Sequence, residues 1–124
     1  MWMNTEDAVL GGYSKEKVAL RRAISLSYNS PEDIALLKKG FAIRAESPLP
    51  PNVLGHDPAY RSPVGYNPVL ANALLDRFGY SKRDPDGFRR GPGGKPLTLT
   101  MHSEATVGGR LRDELWRKNL TAIG

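Results

Sequence analysis

The chain has 124 residues, 40% of them hydrophobic and 25% charged, a size and balance suited to one domain with a modest core. It contains no cysteine, which excludes a disulfide framework and any thiolate metal site, and no apolar run approaches the length that spans a membrane. The formal net charge of +5 raises nucleic acid as a partner, but the basic residues fall in scattered pairs (Arg21 with Arg22, Lys38 with Lys39, Arg89 with Arg90) without interleaved aromatics, so none is expected.

The opening MWMNTEDAVLGG has no basic segment followed by an apolar one, so no secretory signal is expected there. Over residues 15–28, Ala19, Leu20, Ala23, Ile24 and Leu26 share one helical arc, with Arg21, Arg22 and Ser25 opposite; this predicts a helix lying on a core. Tyr28 and Asn29 end it. Ser30, Pro31, Glu32 and Asp33 then read as an N-cap, a proline in the first turn and acids that suit the positive helix end. The second helix is expected to reach about Lys39, with Gly40 closing it.

SPLPPNVLGHDPAYRSPVGY (residues 47–66) holds five prolines and no periodicity, and predicts a long surface coil. Asn67 and Pro68 repeat the cap signal. Leu70, Ala71, Leu74, Leu75 and Phe78 follow at helical spacing until Gly79. After a turn-rich segment, Leu97, Leu99 and Met101 alternate with Thr98, Thr100 and His102, the pattern of a strand with one buried face. A last helix is expected over residues 109–120, with Leu115 and Trp116 inward beside Leu111, and with Asp113–Arg117 and Glu114–Lys118 as four-residue ion pairs. These elements predict an α/β (mixed) fold, about four helices packed on a small, incomplete sheet, with residues 1–124 forming a single domain.

Candidate chemistry is sparse. Asp84, Asp86 and Gly87 share the start of a calcium loop but lack its later oxygen ligands, so a polar turn is the better reading. His56 and His102 lie in no ligand spacing, and no metal or cofactor is expected. Ser103 and Glu104 beside His102 form no nucleophile elbow, and GPGGK (residues 91–95) precedes a strand pattern rather than a helix, so it is a tight turn and not a phosphate loop. Nothing here points to an enzyme. Trp2 and Trp116 read first as core or interface.

The ordered set MN (residues 3–4), VALRRAISLSYN (18–29), SPLPP (47–51), YNPVLANALLDRFGY (66–80), DPDGFRRGPGGKPLTLTM (84–101) and LWRKNLTAIG (115–124) resembles the family 5 extracellular solute-binding proteins over nearly the whole chain. These are the peptide-, dipeptide- and oligopeptide-binding components of ABC importers. Arg21, Ala23 and Ile24 match the family's "vRqAl" helix; Asn29 and Asn67 stand where the family has Asp. Leu74, Leu75, Gly79 and Tyr80 match "YDPekAkaLLaeaGy", and residues 84–99 are similar to the "DGDGfR…pdGkpLtL" hairpin with Pro85 for Gly.

The resemblance implies part of the C-terminal lobe of a larger periplasmic or extracellular protein, associated with the membrane through its transporter. Its partners would be a peptide or similar small solute, the ABC transporter membrane subunits and the remainder of the binding protein. The first strand lines the cleft in similar proteins, which makes Trp2 and Asn4 the expected ligand contacts. An interrupted sheet could expose an edge that pairs with a second copy, a homodimer induced by truncation. The alternative reading, resting on charge alone, is a free-standing basic module that binds nucleic acid.

Overall fold

The computed structural model describes residues 3–124. Its helices are α1 (Lys15–Ser27), α2 (Ser30–Glu32), which passes directly into a π-helical turn (Asp33–Leu37), α3 (Pro68–Arg77) and α4 (Val107–Thr121).

Ser14 caps α1 by accepting from the Lys17 amide, and the helix ends at Tyr28, whose extended backbone cannot continue it. The five residues of the predicted arc are all buried. They pack chiefly on α3, where Ala71 and Leu75 are buried at one-turn spacing. Small residues at Ala23 and Ala71 leave room for that approach. Leu26 and Asn67 join the two helices at one end, the Asn67 amide donating to the Leu26 carbonyl at 2.8 Å. At the other end Tyr80, buried just past α3, points its hydroxyl at the Glu16 carbonyl, 3.4 Å away.

The corner after α1 is capped one residue earlier than the sequence implies. Asn29, not Ser30, accepts from the Glu32 amide, and its own amide group donates to the Glu32 carboxylate at 3.1 Å, a reciprocal clasp. Beyond it the helix widens: the Lys38 amide reaches back five residues to Asp33, and Gly40, at φ 80°, closes the turn onto Ile34. Lys38 and Lys39 therefore follow a π turn rather than ending a regular helix.

α4 starts at Val107, capped by Thr106, whose hydroxyl accepts from Gly109. Leu115 and Trp116 are buried, and Trp116 stacks on Tyr28 with ring centroids 4.4 Å apart. The ion pairs differ from those expected. Arg117 bonds Glu114 at 2.6 Å three residues back, Lys118 reaches across to Glu32 of α2 at 2.6 Å, and Asp113 accepts from the Ser103 hydroxyl. Glu32 captures Lys118 because the π turn that follows α2 packs beside α4, a long-range relation that spacing within one helix does not reveal.

The expected α/β (mixed) fold, with helices on a small, incomplete sheet, is not what forms. Pairing among the described residues is confined to two isolated antiparallel bridges, Arg83 with Arg89 and Arg90 with Pro96. Residues 97–100 carry the alternation all the same: Leu97 and Leu99 are half-buried against the core and Thr98 and Thr100 exposed, but Met101, expected on the buried face, is exposed. A pleated face is encoded there, but a strand also needs a hydrogen-bonded neighbour, and none is present among the described residues. The architecture is helical, with the core enclosed by α1, α3, Trp116 and Ile123.

Candidate functional site

Of the two expected ligand contacts, Trp2 lies outside the described residues. Asn4 is exposed in the coil before α1, and its Oδ1 accepts from the Glu6 amide at 3.0 Å, which holds the side chain in an Asx turn. That coil is tied down firmly. The Asp7 carboxylate accepts from the Leu10 and Val9 amides, both at 2.8 Å, and these bonds hold its pKa below the usual carboxylate value. Lys17 donates to the carbonyls of Ala8 and Val9, and Arg21 to those of Leu10 and Gly12. Gly11 fits because a Cβ there would run into the Asp7 and Thr5 carbonyls.

The other polar residues singled out in the sequence are structural. Asp84 Oδ1 accepts from the Asp86 and Phe88 amides, and Gly87 donates back to the Asp84 carbonyl, so the Asp84 side chain builds a turn. Pro85 takes the second position of that turn, where its fixed φ is favourable. No cluster of three metal-ligating side chains occurs among the described residues. His56 braces the proline-rich coil through Nδ1 and the Leu49 carbonyl, 3.0 Å apart. Ser103 is engaged with Asp113, and GPGGK forms a tight turn closed by Gly91 and Lys95.

Arg89 is the polar residue that the sequence reading passed over. Its guanidinium is buried and donates to the Ile123 carbonyl (2.6 Å), the Tyr80 carbonyl (2.7 Å), Asn72 Oδ1 (2.7 Å) and Asp76 Oδ1 (2.6 Å). Four acceptors meet on one fork, three of them from α3 and the residues just past it and the fourth from near residue 124. The signal was present, since Arg89 is the Arg of the "DGDGfR" motif, yet as one of an adjacent pair it read as surface charge.

Two concavities stand out among the described residues. One, of about 530 Å³, is an open groove between the α2 corner and α4, with Leu36, Leu37, Leu111 and Leu115 along it and the Glu32–Lys118 and Glu114–Arg117 ion pairs beside it. The other, of about 660 Å³, lies in the coil over residues 43–61. There Arg44 is turned to Glu46 and the Val64 carbonyl, and Arg61 to the carbonyls of Pro58 and Tyr60, so each guanidinium supports the coil itself. Ser47, His56 and Asp57 line the second, but the Ser47 hydroxyl and His56 Nδ1 both meet the Leu49 carbonyl and Asp57 accepts from the Ala59 amide, so the three are bonded to the coil and not to one another. Both are surfaces suited to contact.

The model of the bacterial extracellular solute-binding proteins, family 5, middle region, matches residues 1–124. The chain belongs to this family. No curated protein and no solved structure matches it. Membership assigns a solute-binding role in ABC-type import and an extracellular or periplasmic setting. No described helix is long and apolar enough to cross a membrane.

Proposed function

We propose that this chain is part of the C-terminal lobe of a peptide-binding component of an ABC importer, which closes on its solute by hinging against a second lobe. Residues 1–124 act as one domain within that lobe. The family match over the whole chain carries this reading. The surface supports it: Phe41 is 92% and Leu54 98% exposed, and Leu36, Ile43 and Val69 also face outward, an apolar covering that other parts of a larger protein would bury. Trp2 and Asn4 contact the solute, and α1, α2 and α3 are scaffold. The work is differential affinity for a closed state, with no bond made or broken.

The test is calorimetric titration of di- to pentapeptides into residues 1–124 and into the complete product of the gene. Binding by the complete product only is the expected result, because half a cleft buries too little of a ligand. Asn4→Ala in that product is expected to weaken binding about tenfold, roughly 1.4 kcal/mol. Tight binding by residues 1–124 alone would overturn the two-lobed reading, and indifference of the complete product to every peptide would overturn the solute class.

A further inference from the structure

Lys17 and Arg21 of α1 are in no ion pair among the described residues and hold main chain instead. Lys17 Nζ donates to the Ala8 and Val9 carbonyls, both at 2.5 Å, and Arg21 Nη1 to those of Leu10 and Gly12, at 2.5 and 2.8 Å. The two side chains are half-buried and four residues apart, so they share one face of the helix. The carbonyls step along the coil as the cations step along α1. Helix stability does not ask for this, since Lys17 is the third residue of α1, where the positive end of the helix dipole opposes a cation.

The same coil has its amides held from another side. The Asp7 carboxylate takes those of Val9 and Leu10, while Gly11 and Gly12 donate to the Asp7 and Thr5 carbonyls. Met3, Val9 and Leu10 rest on the core. Residues 4–12 form no helix or strand, yet bonds to both their donors and their acceptors fix their path. At the head of that path the Asx turn at Asn4 engages only Oδ1, and Nδ2 has no partner among the described residues.

We propose that Lys17 and Arg21 are positioning residues for solute capture: touching no solute themselves, they hold residues 4–12 in the shape from which Asn4 meets it. The inference rests on the reading of Asn4 as a solute contact. A segment already ordered in the empty protein loses little further freedom when solute arrives, so affinity rises without an added contact. One face of α1 thus packs on α3 and another sets the course of the coil.

Amide hydrogen exchange on residues 1–124 tests the ordering without solute. Lys17→Met with Arg21→Met is expected to speed exchange at Leu10, Gly11 and Gly12 about tenfold or more and to leave Leu20, Ala23 and Leu75 unchanged. Lys17→Arg with Arg21→Lys, which keeps both cations, is expected to restore slow exchange. In the complete product of the gene, the methionine pair is expected to weaken the tightest-bound of the di- to pentapeptides about tenfold, through a less favourable entropy. In an Asn4→Ala background that loss is expected to shrink to about twofold, a coupling that general loss of stability would not produce. Gly11→Ala, which strains the same segment and leaves α1 untouched, is expected to weaken binding likewise and serves if the methionine pair does not fold. Unchanged exchange, loosening spread equally to the helix core, full affinity in Gly11→Ala, or losses that simply add to that of Asn4→Ala would each overturn this inference alone. A wild type that binds no peptide would overturn the reading on which it rests, and the inference with it.

Discussion

Arg89 Nη2 lies 2.7 Å from Asn72 Oδ1 and thereby fastens the turn after α3 to the middle of α3 itself. The same guanidinium holds two backbone carbonyls, of Tyr80 and Ile123, that sit against the core. Its ionic partner Asp76 keeps 56% of its side chain exposed, so water screens that pair, and the carbonyl and amide acceptors dominate. Arg89→Met is expected to destabilise the fold by about 3 kcal/mol, and Asp76→Ala by only about 0.5 kcal/mol. Urea unfolding measures both, and equal losses would show that the ion pair is what matters.

Adjacent glycines in α4 should respond in opposite directions. A Cβ at Gly108 meets nothing, so Gly108→Ala is expected to stabilise by roughly 0.5–1 kcal/mol through helix propensity. At Gly109 a Cβ would strike the Glu104 carbonyl beneath the Thr106 cap, and Gly109→Ala is expected to lower stability despite the same propensity gain. Thermal unfolding of the two single variants decides the matter.

A double-mutant cycle distinguishes Glu32 from Glu114 as the partner of Lys118. The Glu32–Lys118 pair spans α2 and α4 at 2.6 Å, with the lysine 66% exposed, so a coupling of about 0.5 kcal/mol is expected, reduced by salt. The Glu114–Lys118 cycle is expected to show none, because Glu114 is occupied by Arg117.

The Tyr28 hydroxyl should titrate late. Burial against Trp116, with the Asp33 carboxylate beside it and Arg112 opposing weakly, pushes its pKa from 10.0 up to about 12. A raised folded-state value means that stability is fully present below the unfolded pKa near 10 and is lost as pH rises through the folded one. Ultraviolet titration is expected to show a late phenolate absent from Tyr28→Phe, and that variant should lose less stability between pH 10 and 12. Tyr80, raised chiefly by burial, adds alkaline sensitivity of the same sign.

What could be read in the sequence was what depends on neighbours along the chain. The arc of α1, the Asn67 cap with Pro68, Gly79 at φ 92° and the half-buried alternation of Leu97 and Leu99 all follow from local pattern. Asn67, expected as a cap, does accept from the Leu70 amide, whereas the cap of α2 falls on Asn29 and not on the expected Ser30. The sheet failed because a strand is defined by its partner, which local alternation cannot supply. Arg89 was missed for a related reason: its acceptors come from residues 72, 76, 80 and 123, and no window of sequence contains them all. Trp2 lies outside the described residues, and Asn4 became visible only as a local turn.

The 2.8 Å bond from the Asn67 amide to the Leu26 carbonyl has a consequence for how this chain tolerates change. It clamps the base of the excursion that leaves α1 and returns at α3, so the helix pair does not rely on the path taken between. The cost of closing a flexible loop grows only with the logarithm of its length, about 0.6 kcal/mol per doubling. The proline-rich stretch beyond Phe41 can therefore act as an interchangeable cassette, lengthened, trimmed or replaced while its two anchoring helices stay in place.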